Sequence, residues 1–96
     1  MASADAAVIR RTMHFSGLVQ GVGFRWTVEH VSGRFRVTGY VRNLRDGRVE
    51  VVAEGGADEL DRFRRSIEHA MHGHIDRVEI SDSPATGEFP AFRIAF

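Results

Sequence analysis

The sequence of 96 residues contains no cysteine. Disulfide bridges, thiolate nucleophiles and zinc–thiolate sites are thereby excluded. Lysine is missing too, so all thirteen basic residues are arginine, and thirteen acidic residues balance them to a formal net charge of zero. A balanced chain exerts no broad attraction on nucleic acid or on an anionic membrane. No apolar run approaches the length of a membrane span. The opening MASADAAVIRR lacks the basic-then-apolar order of a secretion signal. A cytoplasmic location is the expectation from these missing signals. There are also no internal repeats, linkers or low-complexity segments. The chain has the size of one domain with a modest core, expected over residues 10–96 behind a frayed tail at 1–9.

Hydrophobic periodicity divides the domain into strands and helices. Arg11–Ser16 alternates, with Met13 and Phe15 on one side and Thr12, His14 and Ser16 on the other, as a half-buried strand does. Phe24, Val28, Val31 and Phe35 then recur at helical spacing. Val37–Leu44 and Arg48–Glu54 read as the second and third strands, with Val49, Val51 and Ala53 facing inward. Arg45-Asp46-Gly47 supplies the hairpin turn between them. Gly55-Gly56 is expected to break the third strand. Leu60, Phe63, Ile67, Ala70 and Met71 form the stripe of a second helix, with Asp58, Glu59 and Asp61 near its positive end and Gly73 suited to its C-terminal cap. Ile75–Ser81 is a fourth strand. In Ala91–Phe96, the fifth, Phe92, Ile94 and Phe96 alternate with Arg93 and Ala95.

The order βαββαβ plus a last strand, with right-handed crossovers, predicts an α+β ferredoxin-like sandwich. Its sheet is expected to be antiparallel with both helices on one face. In this topology the loop after the first strand and the hairpin after the second meet at one end of the sheet. The valines at 37 and 41 must face the helices, so by parity Asn43 emerges on the same side, next to Arg25.

The loop at that meeting point reads GLVQGVGFR, residues 17–25. A glycine-rich turn feeding a helix N-terminus exposes several main-chain N–H groups whose dipoles favour an anion. Arg25 adds a planar fork that matches phosphate geometry. A cation at a helix N-terminus is mildly unfavourable, and a bound anion would offset that cost. The plainer alternative is that the glycines only turn the chain and Arg25 is solvated. Val19 stands where a phosphate-cradling loop often begins with a cysteine nucleophile, so no phosphoenzyme can form there and water must attack directly. The loop contains no Asp, Glu or His to act as a base. That restricts the chemistry to a good leaving group, such as the carboxylate of an acyl phosphate. Loose phosphoryl-transfer transition states need positioning and charge stabilisation more than base strength. The carboxamide of Asn43 can hold and orient a water.

The segments HFSGLVQGVGFRW at 14–26, GYVRNLRDGRVEVVAEG at 39–55 and GEFPAFRIAF at 87–96 together resemble the acylphosphatase family. The resemblance covers nearly all of the chain after its N-terminal stretch. It implies a hydrolase without metal or cofactor that splits acyl phosphates into carboxylate and inorganic phosphate, the latter both product and inhibitor. Carried over by position, Arg25 and the main chain of Val19, Gln20, Gly21, Val22, Gly23 and Phe24 hold the phosphoryl group, and Asn43 orients the attacking water. Two positions depart from the family pattern, both outside the loop: Arg36 where a glycine usually precedes the second strand, and Tyr40 where a tryptophan is common.

Other candidates read less sharply. His69, His72 and His74 form a short His-rich tract without a cysteine or carboxylate to complete a metal site, and histidines suit a helix C-terminus. His14 is expected on the open sheet face as a surface residue. Asp58/Arg62 and Asp61/Arg65 pair at i,i+4 along the second helix. Arg42 is turned away from Asn43 by strand parity, and Arg45 lies in the turn. The rivals to a hydrolase are an RNA-binding module using the open sheet face and a phosphate or anion sensor without turnover. The open face of the third strand would show Arg48, Glu50, Val52 and Glu54, with Tyr40 as the one aromatic expected on that face of strands one to three, a poor stacking platform. No exposed apolar stripe argues for more than a monomer.

Overall fold

The computed structural model describes residues 7–96. Its elements are β1 (Val8–Gly17), α1 (Phe24–Ser32), β2 (Thr38–Asn43), β3 (Val49–Gly56), α2 (Ala57–Ala70), β4 (Ile75–Pro84) and β5 (Phe92–Ile94). The strands form one sheet in the order β4-β1-β3-β2-β5. This is the expected α+β ferredoxin-like arrangement, with one correction. β1, β2, β3 and β4 pair antiparallel, but β5 lies parallel to β2, so the sheet is mixed. The cause is the route of the chain. β4 occupies one edge and β5 the other, so the segment between them must cross the whole sheet before β5 can pair.

One face of the sheet and the inner stripes of both helices make the core. Met13 and Phe15 of β1, Val41 of β2, and Val49, Val51 and Ala53 of β3 are fully buried against Val28 of α1 and Leu60, Phe63 and Ile67 of α2. Burying each large side chain of this kind contributes about 1.5–3 kcal/mol. Phe63 packs its ring on Phe35 and Phe92, with centroids 5.9 and 5.5 Å away.

Several boundaries differ from expectation. β1 starts at Val8, so residues 8 and 9 of the expected tail are strand. Val8 and Ile9 pair with Gly56 and Gly55, which continue β3 where the two glycines were expected to break it. Each strand end gives the other its hydrogen-bond partners, and that outweighs poor strand propensity. Residues 1–6 of the expected tail lie outside the described residues. α1 ends at Ser32, and i→i−3 bonds from Arg34 to Val31 and from Phe35 to Ser32 tighten the chain into a turn. Phe35 therefore reaches the core from that turn. In α2 the buried stripe runs through Leu60, Phe63 and Ile67 to Met71, the cap residue, and leaves Ala70 exposed. Gly73 belongs to the turn beyond. β4 runs three residues further than expected, to Pro84, because β1 offers partners as far as Ile9. β5 is shorter, and Phe96 is fully exposed.

The outer face of the sheet is polar and tied down. Glu50 accepts hydrogen bonds from Arg42 Nε at 2.7 Å and Tyr40 Oη at 3.1 Å, and lies 2.9 Å from His14 Nε2. Burial pushes the Glu50 carboxyl up, but these partners outweigh it and hold the group below its ordinary range. The 85–91 segment crosses this face. Phe89 meets the Tyr40 ring edge-on at 5.8 Å and lies under the Arg10 guanidinium at 4.9 Å. Glu54 accepts from Arg10 Nε at 2.8 Å, from the main-chain N–H groups of Thr86 and Gly87 at 2.9 Å each, and from the Thr86 hydroxyl at 3.1 Å. The crossing segment is thereby pinned to β3.

Candidate functional site

β1 and the β2–β3 hairpin deliver their ends to the same end of the sheet, and the loop from Leu18 to Gly23 bridges from β1 into α1. Gly21 and Gly23 have φ of 78° and 79°, in the left-handed region. A Cβ at either would meet nothing within 4 Å, so the requirement for glycine is conformational and not one of space. Gly23 is the N-cap of α1. It offers no side chain to the helix, and no acidic residue stands in the first turn. Among the described residues, no hydrogen bond engages the main-chain N–H groups of residues 20 to 25. These are the orphan donors that a helix start and a glycine turn leave over.

Two further contacts fix the loop. Val19 is fully buried and belongs to the core. Gln20 donates its side-chain amide to the carbonyls of Leu44 at 2.7 Å and Arg48 at 2.9 Å, on either side of the hairpin turn. The turn itself is closed by Leu44 N–H to the Arg48 carbonyl at 2.8 Å. Gln20 thus locks the loop onto the hairpin that bears Asn43. Sequence reasoning had assigned it only a main-chain role.

Between loop, helix and hairpin lies an open cavity of about 190 Å³. Arg25, the second residue of α1, and Asn43, the last of β2, both line it. Val19, Gly21, Gly23 and Phe24 form its loop side. The side chains of Gln20 and Val22 do not line it; Gln20 is spent on the hairpin and Val22 is exposed. Neither Arg25 nor Asn43 makes a side-chain hydrogen bond or ion pair among the described residues. The guanidinium lies over the Phe96 ring, 5.1 Å from Cζ to the ring centroid. Asn43 projects to the helix side because Val41, two residues earlier, is fully buried there. Arg42 goes to the other face, on Glu50.

Three cavity residues were not singled out from the sequence: Trp26, Ile94 and Phe96. Ile94 and Phe96 arrive because β5 runs parallel to β2 and Ala95 N–H bonds the Val41 carbonyl at 2.8 Å, which carries the chain toward Asn43. The signal available for Trp26 was a large aromatic placed off the 24, 28, 31 stripe.

The remaining candidates do not line this cavity. Among the described residues no cluster of three metal-ligating side chains occurs. His69 lies in the last turn of α2, and His72 is exposed just beyond. Arg62 pairs with Glu59 in place of the expected Asp58, the expected Asp61/Arg65 pair does not form, and Arg64 pairs with Glu68. Asp61 instead serves Arg11, at 2.7 Å. Arg36 follows the α1 turn without positive φ, and its N–H donates to Glu59 at 2.9 Å. Among the described residues no helix is long and apolar enough to cross a membrane.

Proteins with the same fold and a similar sequence are known. The structure of an acylphosphatase from Bacillus subtilis superposes with a TM-score of 0.84 at 28% identity, over 92% of this chain and 99% of that one. The acylphosphatase of Methanospirillum hungatei JF-1 is 50% identical over 80 residues, spanning 81% of this chain and 88% of the relative. That of Lactobacillus johnsonii is 38% identical over 87 residues, spanning 88% and 96%. The acylphosphatase family model matches residues 11–94, from the first strand to the end of the last. A match of that extent, with relatives covered almost end to end, places the chain in the acylphosphatase family, a family of enzymes that hydrolyse acyl phosphates.

Proposed function

We propose that the chain hydrolyses acyl phosphates by direct attack of water at phosphorus, with Arg25 and the loop donors holding the phosphoryl group and Asn43 orienting the water. The observation that carries this reading is the meeting, over one cavity, of an arginine without a counter-charge, a run of unpartnered main-chain donors and an asparagine without a side-chain hydrogen bond, all among the described residues. Each is a cost to the free protein that a bound phosphoryl group and a water would offset.

In the proposed step the water oxygen forms a bond to phosphorus, the bond from phosphorus to the carboxyl oxygen breaks, and carboxylate and inorganic phosphate leave. The carboxylate needs no general acid at neutral pH. The guanidinium and the loop N–H groups meet charge on the phosphoryl oxygens, where fixed donors act without reorganising. The carboxamide oxygen of Asn43 accepts from the water and fixes its approach. All of these groups come from one chain, so the site works in a monomer. No metal or cofactor has a role in this scheme, and chelators are expected to leave the rate unchanged. Inorganic phosphate is expected to inhibit competitively.

The rival readings have less support. The outer sheet face is crossed by the 85–91 segment, and Tyr40, its one aromatic from strands β1 to β3, is engaged by Phe89 and Glu50. An RNA base finds no free ring there. A phosphate sensor without turnover has no use for the amide at 43.

The deciding measurement is hydrolysis of a small aromatic acyl phosphate, with a simple phosphate monoester as control. Turnover of the acyl phosphate alone supports the leaving-group argument; comparable turnover of the monoester refutes it. Asn43→Ala is expected to cut kcat by about a hundredfold while the inhibition constant of phosphate stays within about threefold. Lost phosphate affinity with a retained rate would reverse the assigned roles.

A further inference from the structure

The proposed chemistry uses only the phosphoryl end of the substrate, so the acyl group must lie against whatever else borders the cavity. That border is apolar. Arg25 is the one charged residue among those lining it, and with the phosphoryl group bound it is committed. Trp26 of α1 and Ile94 and Phe96 from the C-terminal end of the chain are its large apolar members beyond the loop.

Trp26 is the single tryptophan of the chain. It follows Arg25 on α1, and a rotation of about 100° per residue carries it off the buried stripe. It is 63% exposed. Its ring is nonetheless held: it stacks on His30, one turn along the helix, with centroids 5.0 Å apart and planes 7° from parallel. The stack presents a large flat apolar surface beside the cavity and lowers the rotamer freedom left to be lost on binding.

We infer that Trp26 is a specificity-determining residue, and that the site favours acyl phosphates with a flat apolar acyl group, such as an aromatic acyl, over those with a small or charged one. The inference rests on the hydrolase reading above and adds the substrate class. A flat acyl group gains contact with the indole and with Phe96; a methyl group is too small to cover them. A carboxylate or ammonium on the acyl group would meet apolar surface and no counter-charge.

The test compares kcat/KM for benzoyl phosphate and acetyl phosphate in the wild-type chain, Trp26→Ala and Trp26→Phe. The wild type is expected to favour benzoyl phosphate. Trp26→Ala is expected to lower the ratio of the two values about tenfold, chiefly through the KM for benzoyl phosphate, and Trp26→Phe to keep most of it. A purely structural role would lower both values together and leave the ratio unmoved; that result overturns the inference. Because Trp26 is the only tryptophan, its emission gives a second reading. Benzoate added in the presence of inorganic phosphate should quench it, and acetate should not. Equal response to the two overturns the inference. So does a preference for benzoyl phosphate that depends on protein concentration, which would assign the indole to contact with a second copy. If the wild type hydrolyses neither compound, the hydrolase reading itself falls and this inference with it. Hydrolysis of both, at a ratio that Trp26→Ala does not change, sinks the inference alone.

Discussion

Both helices begin at a glycine that offers no side-chain cap, Gly23 before α1 and Gly56 before α2, yet their first turns are charged oppositely. α2 places Asp58 and Glu59 against its positive end, and Glu59 also accepts the Arg36 N–H. α1 has no acid there and carries Arg25. The two starts lie at opposite ends of the sheet, and the surroundings repeat the contrast. Near α2, Glu54 collects four donors and Arg10 holds Glu54 and Glu88. Near α1, Arg25, Asn43 and the loop N–H groups have no hydrogen-bonding partner among the described residues. At the α2 end these charged side chains satisfy one another. At the cavity that capacity is left for something that is not protein.

The largest effect expected from this contrast is that of Arg25→Ala. It should lower kcat/KM for an acyl phosphate by about 10²–10³, the usual cost of one donor aimed at developing charge. Its effect on stability should be small. Removing a cation from a helix N-terminus gains about 0.3–1 kcal/mol, and losing the contact with the Phe96 ring costs about as much. Activity and a urea melt on the same sample decide the matter. If the variant loses several kcal/mol of stability, Arg25 is a structural cation like Arg10 and the contrast between the two ends collapses.

The saturated end predicts the reverse. Burial pushes the Glu54 carboxyl up, but the N–H groups of Thr86 and Gly87, the Arg10 guanidinium and the Thr86 hydroxyl outweigh it and bring the group down to about 2, from an ordinary 4.5. A carboxyl lowered by folding stabilises the native state fully above its unfolded value, and that contribution is lost as pH falls from about 4.5 toward 2. Glu54→Gln should therefore be less stable than wild type at pH 7, and the gap should close as pH drops through that window. Glu54→Ala, which leaves Arg10 and two main-chain donors short of an acceptor, should cost about 3 kcal/mol. Neither should change kcat/KM more than about twofold, because the length of β1 separates Glu54 from the cavity. Urea midpoints from pH 7 to pH 2.5 provide the check. A gap that persists at pH 2.5 would mean that the carboxylate charge is not what pins the 85–91 segment.

How much of this was legible in the sequence follows from which interactions are local. The alternation of Met13 and Phe15, and of Val49, Val51 and Ala53, reports burial directly, so the sheet face and the neighbourhood of Arg25 and Asn43 were readable. Strand ends were not, because Val8, Ile9, Gly55 and Gly56 are strand only by virtue of one another. The parallel pairing of β5 was hidden for a similar reason. It depends on a crossing segment held by Glu54, 32 residues away from its partner Thr86, and nothing near either residue announces the pairing. Trp26 was visible as an aromatic off the buried stripe of α1, next to Arg25, whereas the place of Phe96 at the cavity needed the register of β5 on β2. Gln20 sits in the loop motif and reads as part of it; its bond across the hairpin turn is a tertiary fact.

The smallest prediction tests the helix starts themselves. Asp58→Asn removes one of the two acids from the α2 first turn and should cost about 0.5 kcal/mol at low salt, falling toward zero as salt screens the exposed charge. The mirror change is Thr27→Glu, which gives α1 an acid one turn in. The hydroxyl that donates to the Gly23 carbonyl at 2.8 Å is lost, and the new carboxylate should about balance that loss. Its sharper consequence lies in binding. The carboxylate occupies the field that the proposal reserves for phosphate, so the inhibition constant of inorganic phosphate should rise about threefold, whereas Asp58→Asn should not move it. If both variants leave phosphate inhibition unchanged, the open start of α1 contributes nothing to anion binding, and the attraction must come from Arg25 alone.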